Sequence, residues 1–254
     1  MRIKRFVPLV FIIGYFVTSF AQGIEVPQIF PKEKTVTHTA YTTSYSHDFG
    51  QPQWVAYSLA YSKLISVAAR PSRFQPDPKI KPATTSHRAY TKTGFDRGHL
   101  APAADMAWST QTMLESFYTS NISPQRPAFN RGIWKVLESK VREWTLPSLE
   151  NGLMPHLFIV TGPIFSSEMP NISRVYGHTL SVPEYFFKAI IDTTGSKRGI
   201  AFILPNNKVP TEQLWDYTMS IDELELKLGR DLFPKLPDEI ETKIEAQNRR
   251  ADWE

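Results

Sequence analysis

Apolar and polar positions along this chain recur with two periods, and the two periods separate its elements. Short runs rich in Thr, Tyr, Val, Phe and Ile occur at 37–46, 54–67, 156–162 (HLFIVTG), 184–192 (EYFFKAIID) and 198–204 (RGIAFIL). β-branched and aromatic runs of that length read as strands, the 54–67 run with the partial alternation of a half-buried one. A helical period appears at 131–144. There Ile133, Trp134, Leu137, Val141 and Trp144 share one face, while Arg131, Lys135, Glu138 and Arg142 share the other. Two more helices are predicted, at 109–118 with Ser109 as N-cap and at 221–228 stopped by Gly229. Between 71 and 87, Pro71, Pro76, Pro78 and Pro82 exclude long regular structure and predict a loop laid over the surface. Strands outnumber helices without strict alternation, so the expected class is α+β with an antiparallel sheet.

The first residues belong to neither pattern. MRIKR precedes the apolar run FVPLVFIIGYFVTSFA, a basic region and a hydrophobic region of signal-peptide length ending at Ser19-Phe20-Ala21. The expected organisation is a signal peptide at 1–21, a proline-bearing leader at 22–36 and a single domain at 37–254. Cleavage after Ala21 predicts a secreted or periplasmic protein without stable membrane association. The chain has no cysteine, so its core must hold it together without disulfides, and 41% hydrophobic residues supply that core.

Net charge changes the picture only locally. The formal charge is +4, but Arg2, Lys4 and Arg5 fall in the signal segment, and removing it leaves 26 basic residues against 25 acidic. Residues 63–99 hold eight basic residues and two acids, whereas 222–254 carry ten acids and six bases. A basic stretch of that kind could meet a polyanion.

Inside it lies GFDRGHLAPAADM at 94–106, which crowds Asp96, Arg97 and His99 around Gly98. A lone histidine with an ordinary pKa near 6.5 is suited to act as a general base at neutral pH. The helix at 131–144 admits two readings. In one, Asn130 is a simple cap and Glu138–Arg142 an i,i+4 surface pair. In the other, Asn130 and Glu138 serve one cation. Eight helical residues rise about 12 Å, so one must bind directly and the other through water, which suits Mg²⁺. Zinc is excluded: the six histidines are scattered and thiolates are absent.

The segments DRGHLAPAADM, FYTSNISPQRPAFNRGIWKVLESKVREW, VTGPIF, VPEYFFKAII and FILPN, in that order, resemble the DNA/RNA non-specific endonucleases of the ββα-metal, or His-Me finger, class. The resemblance runs from about residue 40 to 230. It implies a central antiparallel sheet flanked by helices and a Mg²⁺-dependent endonuclease, with Mn²⁺ able to substitute. Such an enzyme cuts DNA and RNA to leave 5′-phosphate and 3′-hydroxyl ends. His99 stands at the family's general base, Asn130 at its direct metal ligand and Glu138 at the residue that orders metal-bound water. Arg97 and Arg142 match positions that support the scissile phosphate, and Asn121 and Gln125 match positions lining the site. Asp96 and Gly98 support the motif, Gly98 by letting the backbone turn. The family also places an arginine before an aromatic-x-x-Asp segment, here Phe74 to Asp77; Arg70 and Arg73 both qualify, and Arg73 is favoured. The rival expectations are a non-catalytic nucleic-acid-binding module and a phosphodiesterase of small nucleotides.

Overall fold

The β-branched and aromatic runs form one seven-stranded sheet. A computed structural model describes residues 23–148, 152–173, 180–194 and 197–254. In it β1 (Thr35–Thr37), β2 (Tyr41–Ser46), β3 (Gln51–Ala60), β6 (His156–Ile164), β9 (Tyr185–Asp192), β10 (Arg198–Pro205) and β11 (Thr218–Met219) are neighbours in that order. Every adjacent pair is antiparallel. The strand expected over 54–67 runs over 51–60 and gives way to a short 3₁₀ turn at Tyr61–Lys63. Two small two-stranded antiparallel sheets stand outside it: β4 (Asp96–His99) with β5 (Ile122–Gln125), and β7 (Asn171–Ser173) with β8 (Leu180–Ser181).

Alternation divides the sheet into two buried faces. Val55, Tyr57, Leu59, Leu157, Ile159, Phe186, Ile190, Ile200, Phe202 and Leu204 point one way. They pack on Leu100 and Ala101 after β4, and on the apolar stripe Ile133, Trp134, Leu137, Val141 and Trp144. Trp54, Ala56, Phe158, Val160, Phe187, Ala189, Ile191 and Ala201 point the other way, against α4 (Ile221–Leu228) and α5 (Asp238–Glu245). The molecule is therefore α+β in three layers, helix on sheet on helix.

The helices start and stop for local reasons. In α1 (Thr110–Ser116) the Ser109 hydroxyl accepts from the Thr112 amide at 3.1 Å. A capping box between Ser220 and Glu223 opens α4, and Gly229, at φ 60°, closes it. The site helix starts earlier than its stripe predicts. α2 (Pro127–Phe129) begins with Pro127 in the first turn, a wide π turn follows at Asn130–Trp134 with Gly132 out of helical geometry, and α3 (Lys135–Glu143) completes it. Asn130 lies inside this path at φ −58° and ψ −45°, so it is no cap.

Residues 1–21, read as a signal peptide, lie outside the described residues. Among those described, no helix is long and apolar enough to cross a membrane. The stretch read as a leader is stitched to the domain. Ile24 and Val26 pack on the α4–α5 side, and Glu33 accepts from Trp54 Nε1 at 2.7 Å and from Arg230 Nη1 at 2.9 Å. The proline-bearing loop at 71–87 has no strand of its own, yet it is anchored: buried Asp77 meets His38 Nε2 at 2.7 Å.

Candidate active site

The motif DRGH is a strand, not a turn. Asp96, Arg97, Gly98 and His99 pair with Gln125, Pro124, Ser123 and Ile122 respectively. Period two places Arg97 and His99 on one face of the two-stranded sheet, where both flank Phe74: the Arg97 guanidinium lies 5.9 Å and the His99 ring 5.4 Å from its centre. Gly98 is needed for space rather than for turning. A Cβ there would fall 2.0 Å from Gln125 Oε1, so only glycine lets the two strands close over that side chain.

His99 meets the edge of Phe117 at 4.9 Å between ring centres, and its Nε2 is buried without a hydrogen-bond partner. Burial, with Arg70 adding positive charge, depresses its pKa from 6.5 to about 3. The ordinary histidine value expected from sequence is thereby corrected: His99 is held neutral far below pH 6. With Nε2 enclosed, Nδ1 is the nitrogen left to face water.

The other alternate, Asp96, looks toward the helix. It accepts from Asn130 Nδ2 at 2.9 Å and from Arg131 Nε and Nη2 at 2.8 and 2.6 Å. These bonds hold its carboxyl below the usual carboxylate range against the opposing effect of burial. They also orient Asn130, because its NH₂ is committed to Asp96 and its amide oxygen is left free. β4, β5 and the helix from Pro127 to Glu143 thus form one ββα unit carrying His99, Asp96 and Asn130.

Glu138 is half-buried rather than on a solvent face, and the reading that makes Glu138–Arg142 a surface ion pair does not hold: among the described residues Arg142 pairs with Asp105. Arg142 instead donates to Asp105 at 2.9 Å and to Ser139 at 3.1 Å. Its guanidinium is thus a brace for Asp105 rather than a free phosphate contact. Burial and the neighbouring Asp105 push the Glu138 carboxyl upward, while Lys188, Arg142 and Arg70 oppose the shift. Asp105 is 1% exposed and also accepts from the Tyr57 hydroxyl at 3.0 Å.

Two predicted contacts are corrected. Asn121 is fully buried: its Oδ1 accepts from the Ala101 amide, and its Nδ2 donates to the carbonyls of Ala101 and Ser116, all at 2.9 Å. It braces the chain just after His99 and offers nothing to a substrate. Gln125 is also fully buried against Gly98, with neither its amide nitrogen nor its amide oxygen hydrogen-bonded, so it lies under the two strands rather than on the exposed surface of the site. The fold sets the two arginines apart. Arg70 lies with its guanidinium 5.6 Å from the Phe117 ring centre, and its charge reaches both His99 and Glu138. Arg73 is exposed in a neighbouring cleft of about 470 Å³ lined with Phe74, His87, Arg88 and Arg97. Arg97 is steadied there by donating to the His87 carbonyl at 2.8 and 3.1 Å.

Sequence reasoning missed Asp105 and Lys188. Lys188 is fully buried, its Nζ without a hydrogen-bond partner and 4.7 Å from the Trp134 ring centre. Its signal was legible: in YFFKAIID it takes the alternate position between Phe186 and Ile190, where period two calls for an apolar residue.

The chain matches known proteins over most of its length. The sequence profile of the DNA/RNA non-specific endonucleases matches residues 24–239. A mitochondrial nuclease EXOG of Danio rerio is 32% identical over 213 residues, covering 78% of this chain and 60% of that protein. A nuclease of Nostoc sp. is 31% identical over 238 residues, covering 89% of this chain and 82% of the relative. The chain spans only part of the EXOG relatives, 54% of the Xenopus laevis protein. The crystal structure of the EndoG/EndoGI complex superposes with a TM-score of 0.72 at 23% identity, over 82% of this chain and 88% of that one, which shows a common fold. The chain belongs to the DNA/RNA non-specific endonuclease family.

Proposed function

We propose that this chain is a Mg²⁺-dependent endonuclease, with Mn²⁺ able to substitute, that hydrolyses phosphodiester bonds within DNA and RNA. The observation that carries the reading is one ββα unit that carries both a histidine held neutral by burial and an Asn130 amide oriented by Asp96. The donor set fits a hard cation, being an amide oxygen at Asn130 and a carboxylate at Glu138, with no thiolate in the chain. Asn130 would hold the ion directly and Glu138 through water. When bound, such a cation supplies charge stabilisation at the phosphate. His99 accepts a proton from water at Nδ1 as the water oxygen bonds to phosphorus. The 3′-oxygen leaves and takes a proton from solvent, giving 5′-phosphate and 3′-hydroxyl ends. Arg70 beside His99, and Arg97 with Arg73 in the adjacent cleft, oppose the phosphate charge. Such groups address the backbone rather than base edges, which supports breadth across DNA and RNA.

The basic and then apolar run at 2–21 supports export, with the mature chain starting near Gln22 in a secreted or periplasmic location. N-terminal sequencing of the exported protein tests this; Met1 on a membrane-bound product would refute it. The activity is tested by nicking of a circular plasmid after chelation and after restoring Mg²⁺ or Mn²⁺. Full cleavage in excess EDTA would sink the metal mechanism. Binding without cleavage would favour a non-catalytic module, and turnover of small phosphodiesters alone would favour a nucleotide phosphodiesterase.

A further inference from the structure

The face of the sheet remote from His99 carries a cluster of carboxylates that the hydrolytic reaction does not use. Asp222 and Glu225, three apart on α4, meet Glu245 at the end of α5. One carboxylate oxygen from each lies within 4.8 Å of the other two. Burial deepens across the set: Asp222 is exposed, Glu225 half-buried and Glu245 only 2% exposed. The Oε1 of Glu245 is buried with no hydrogen-bond partner. Glu225 is fixed by its own bond, Oε1 accepting from the Leu232 amide at 2.6 Å. Asp231 and Glu241 add negative charge nearby, and no basic group ranks among the main electrostatic neighbours of Glu245. None of the three carboxylates takes part in an ion pair among the described residues.

The fold places Glu245 there by a close approach. A Cβ on Gly199 of β10 would fall 2.6 Å from the Ile244 carbonyl oxygen, so glycine at that position lets the end of α5 settle onto the sheet and carries Glu245 inward. The position is doubly unfavourable for an unpartnered carboxylate: it faces two others, and it sits at a helix C-terminus, the negative end of the helix dipole.

We propose that Asp222, Glu225 and Glu245 form a structural Ca²⁺ site that clamps α4 to α5 on the side of the sheet away from the catalytic unit. The ligands are all oxygen, which selects a hard cation. Three carboxylates converging from two helices, with an exposed rim, suit the flexible six-to-eight oxygen shell of Ca²⁺ better than the strict octahedron of Mg²⁺, which is more often held by one or two carboxylates and several waters. The exposed Asp222 rim leaves room for the waters that complete its shell.

The test is calcium binding to the chelator-stripped full chain, by calorimetry and thermal unfolding. Wild type is expected to bind one Ca²⁺ at this site and to gain about 5 °C in Tm at saturation. Glu245→Gln and Asp222→Asn should each bind at least tenfold more weakly and lose most of the shift. Asn130→Ala, which empties the proposed catalytic site, should keep it. Mg²⁺-supported plasmid cleavage by Asp222→Asn should be unchanged. Should Glu245→Gln fail to fold, Asp222→Asn at the rim carries the same comparison. A wild type whose Tm ignores Ca²⁺, or a shift that survives both carboxylate substitutions, would overturn the site and leave Glu245 as a buried neutral acid.

Discussion

The two faces of the sheet hold acids in opposite company. Toward the ββα unit, Asp105 and Glu138 lie among Lys188, Arg142 and Arg70, so negative charge is answered from within the chain. Toward α4 and α5, Asp222, Glu225, Asp231, Glu241 and Glu245 answer one another only with like charge. Strand alternation makes the division: Lys188 shares a face with Phe186 and Ile190, while Phe187, Ala189 and Ile191 look the other way. The first face is preorganised by its own side chains, as a site that must hold an ion and a phosphate in fixed geometry requires. The second depends on what it draws from solution.

The largest expected effect falls on the preorganised face. A positioned base contributes typically 10²–10⁴-fold, so His99→Ala should lower plasmid cleavage by about that factor while DNA binding persists. The pH dependence follows from burial. Folding depresses the His99 pKa to about 3 against an ordinary 6.5, so the free enzyme's base stays competent well below pH 6. Between those values the unfolded chain binds a proton that the folded chain refuses. Its contribution to stability is therefore full above pH 6.5 and is lost progressively as pH falls toward 3. Cleavage and thermal unfolding measured from pH 4 to 8 check both. Equal cleavage by wild type and His99→Ala would remove His99 from the chemistry.

Next in size is Asp96→Ala. It frees the Asn130 side chain without touching the proposed ligand atom, and loss of such an orienting partner typically costs 10–100-fold in metal affinity or activity. The Mg²⁺ concentration for half-maximal cleavage should rise, with partial recovery in excess Mg²⁺. A fall in turnover with unchanged Mg²⁺ dependence would show that Asp96 does something other than aim Asn130.

Replacing one ionisable side chain on each face should have effects of opposite sign. Lys188→Met leaves Glu138 and Asp105 with one cation fewer in a buried setting, and is expected to cost about 1–3 kcal/mol of stability and to reduce cleavage. Glu245→Gln, in chelator, replaces an acid whose pKa burial and its acidic neighbours push up to about 9, so folding at neutral pH no longer requires a proton to be taken up there; it should raise stability by on the order of 1 kcal/mol, about 2–4 °C in Tm, with cleavage unchanged. Denaturant and thermal melts of both variants decide it. Two changes of the same sign would mean that the faces do not differ as their charges indicate.

Much of this division was written in the sequence, but not all. The long strands and the stripe Ile133 to Trp144 announce themselves because period and apolarity coincide. α5 does not, since DEIETKIE offers only Ile240 and Ile244 to the core and is otherwise polar. Lys188 and Asp105 escape a rule that assigns charge to surfaces, and Glu138 was placed on a solvent face for the same reason. Gly98 was read as freedom to turn, whereas its cause lies on the other strand in Gln125, which local sequence cannot reveal. Asn121 and Gln125 matched site positions by motif, yet burial sets Asn121 to bracing and holds Gln125 under the two strands. Arg73 adjoins Phe74 along the chain and Arg70 stands four residues before it, yet it is Arg70 that the fold brings to His99. The chemistry-bearing residues were legible as a set; their microenvironments were not.

The smallest expected effect is at Arg131, and it sharpens what Asp96 is for. Arg131 donates two hydrogen bonds to Asp96, the closer at 2.6 Å, but its side chain is 71% exposed. An exposed ion pair gains little, because water and salt screen it and two long side chains must be ordered to make it. The bond from Asn130 to Asp96 is more sheltered and does not need the arginine. Arg131→Ala should therefore leave Tm within about 1 °C of wild type and cleavage within about twofold, with an unchanged Mg²⁺ requirement. Raising salt should weaken nucleic-acid cleavage in both proteins alike, since it acts on the phosphate contacts and not on this pair. If Arg131→Ala instead shifted the Mg²⁺ requirement as far as Asp96→Ala does, the fork between Arg131 and Asp96 would be what fixes the carboxylate, and the orientation of Asn130 would depend on the rim of the site rather than on its interior.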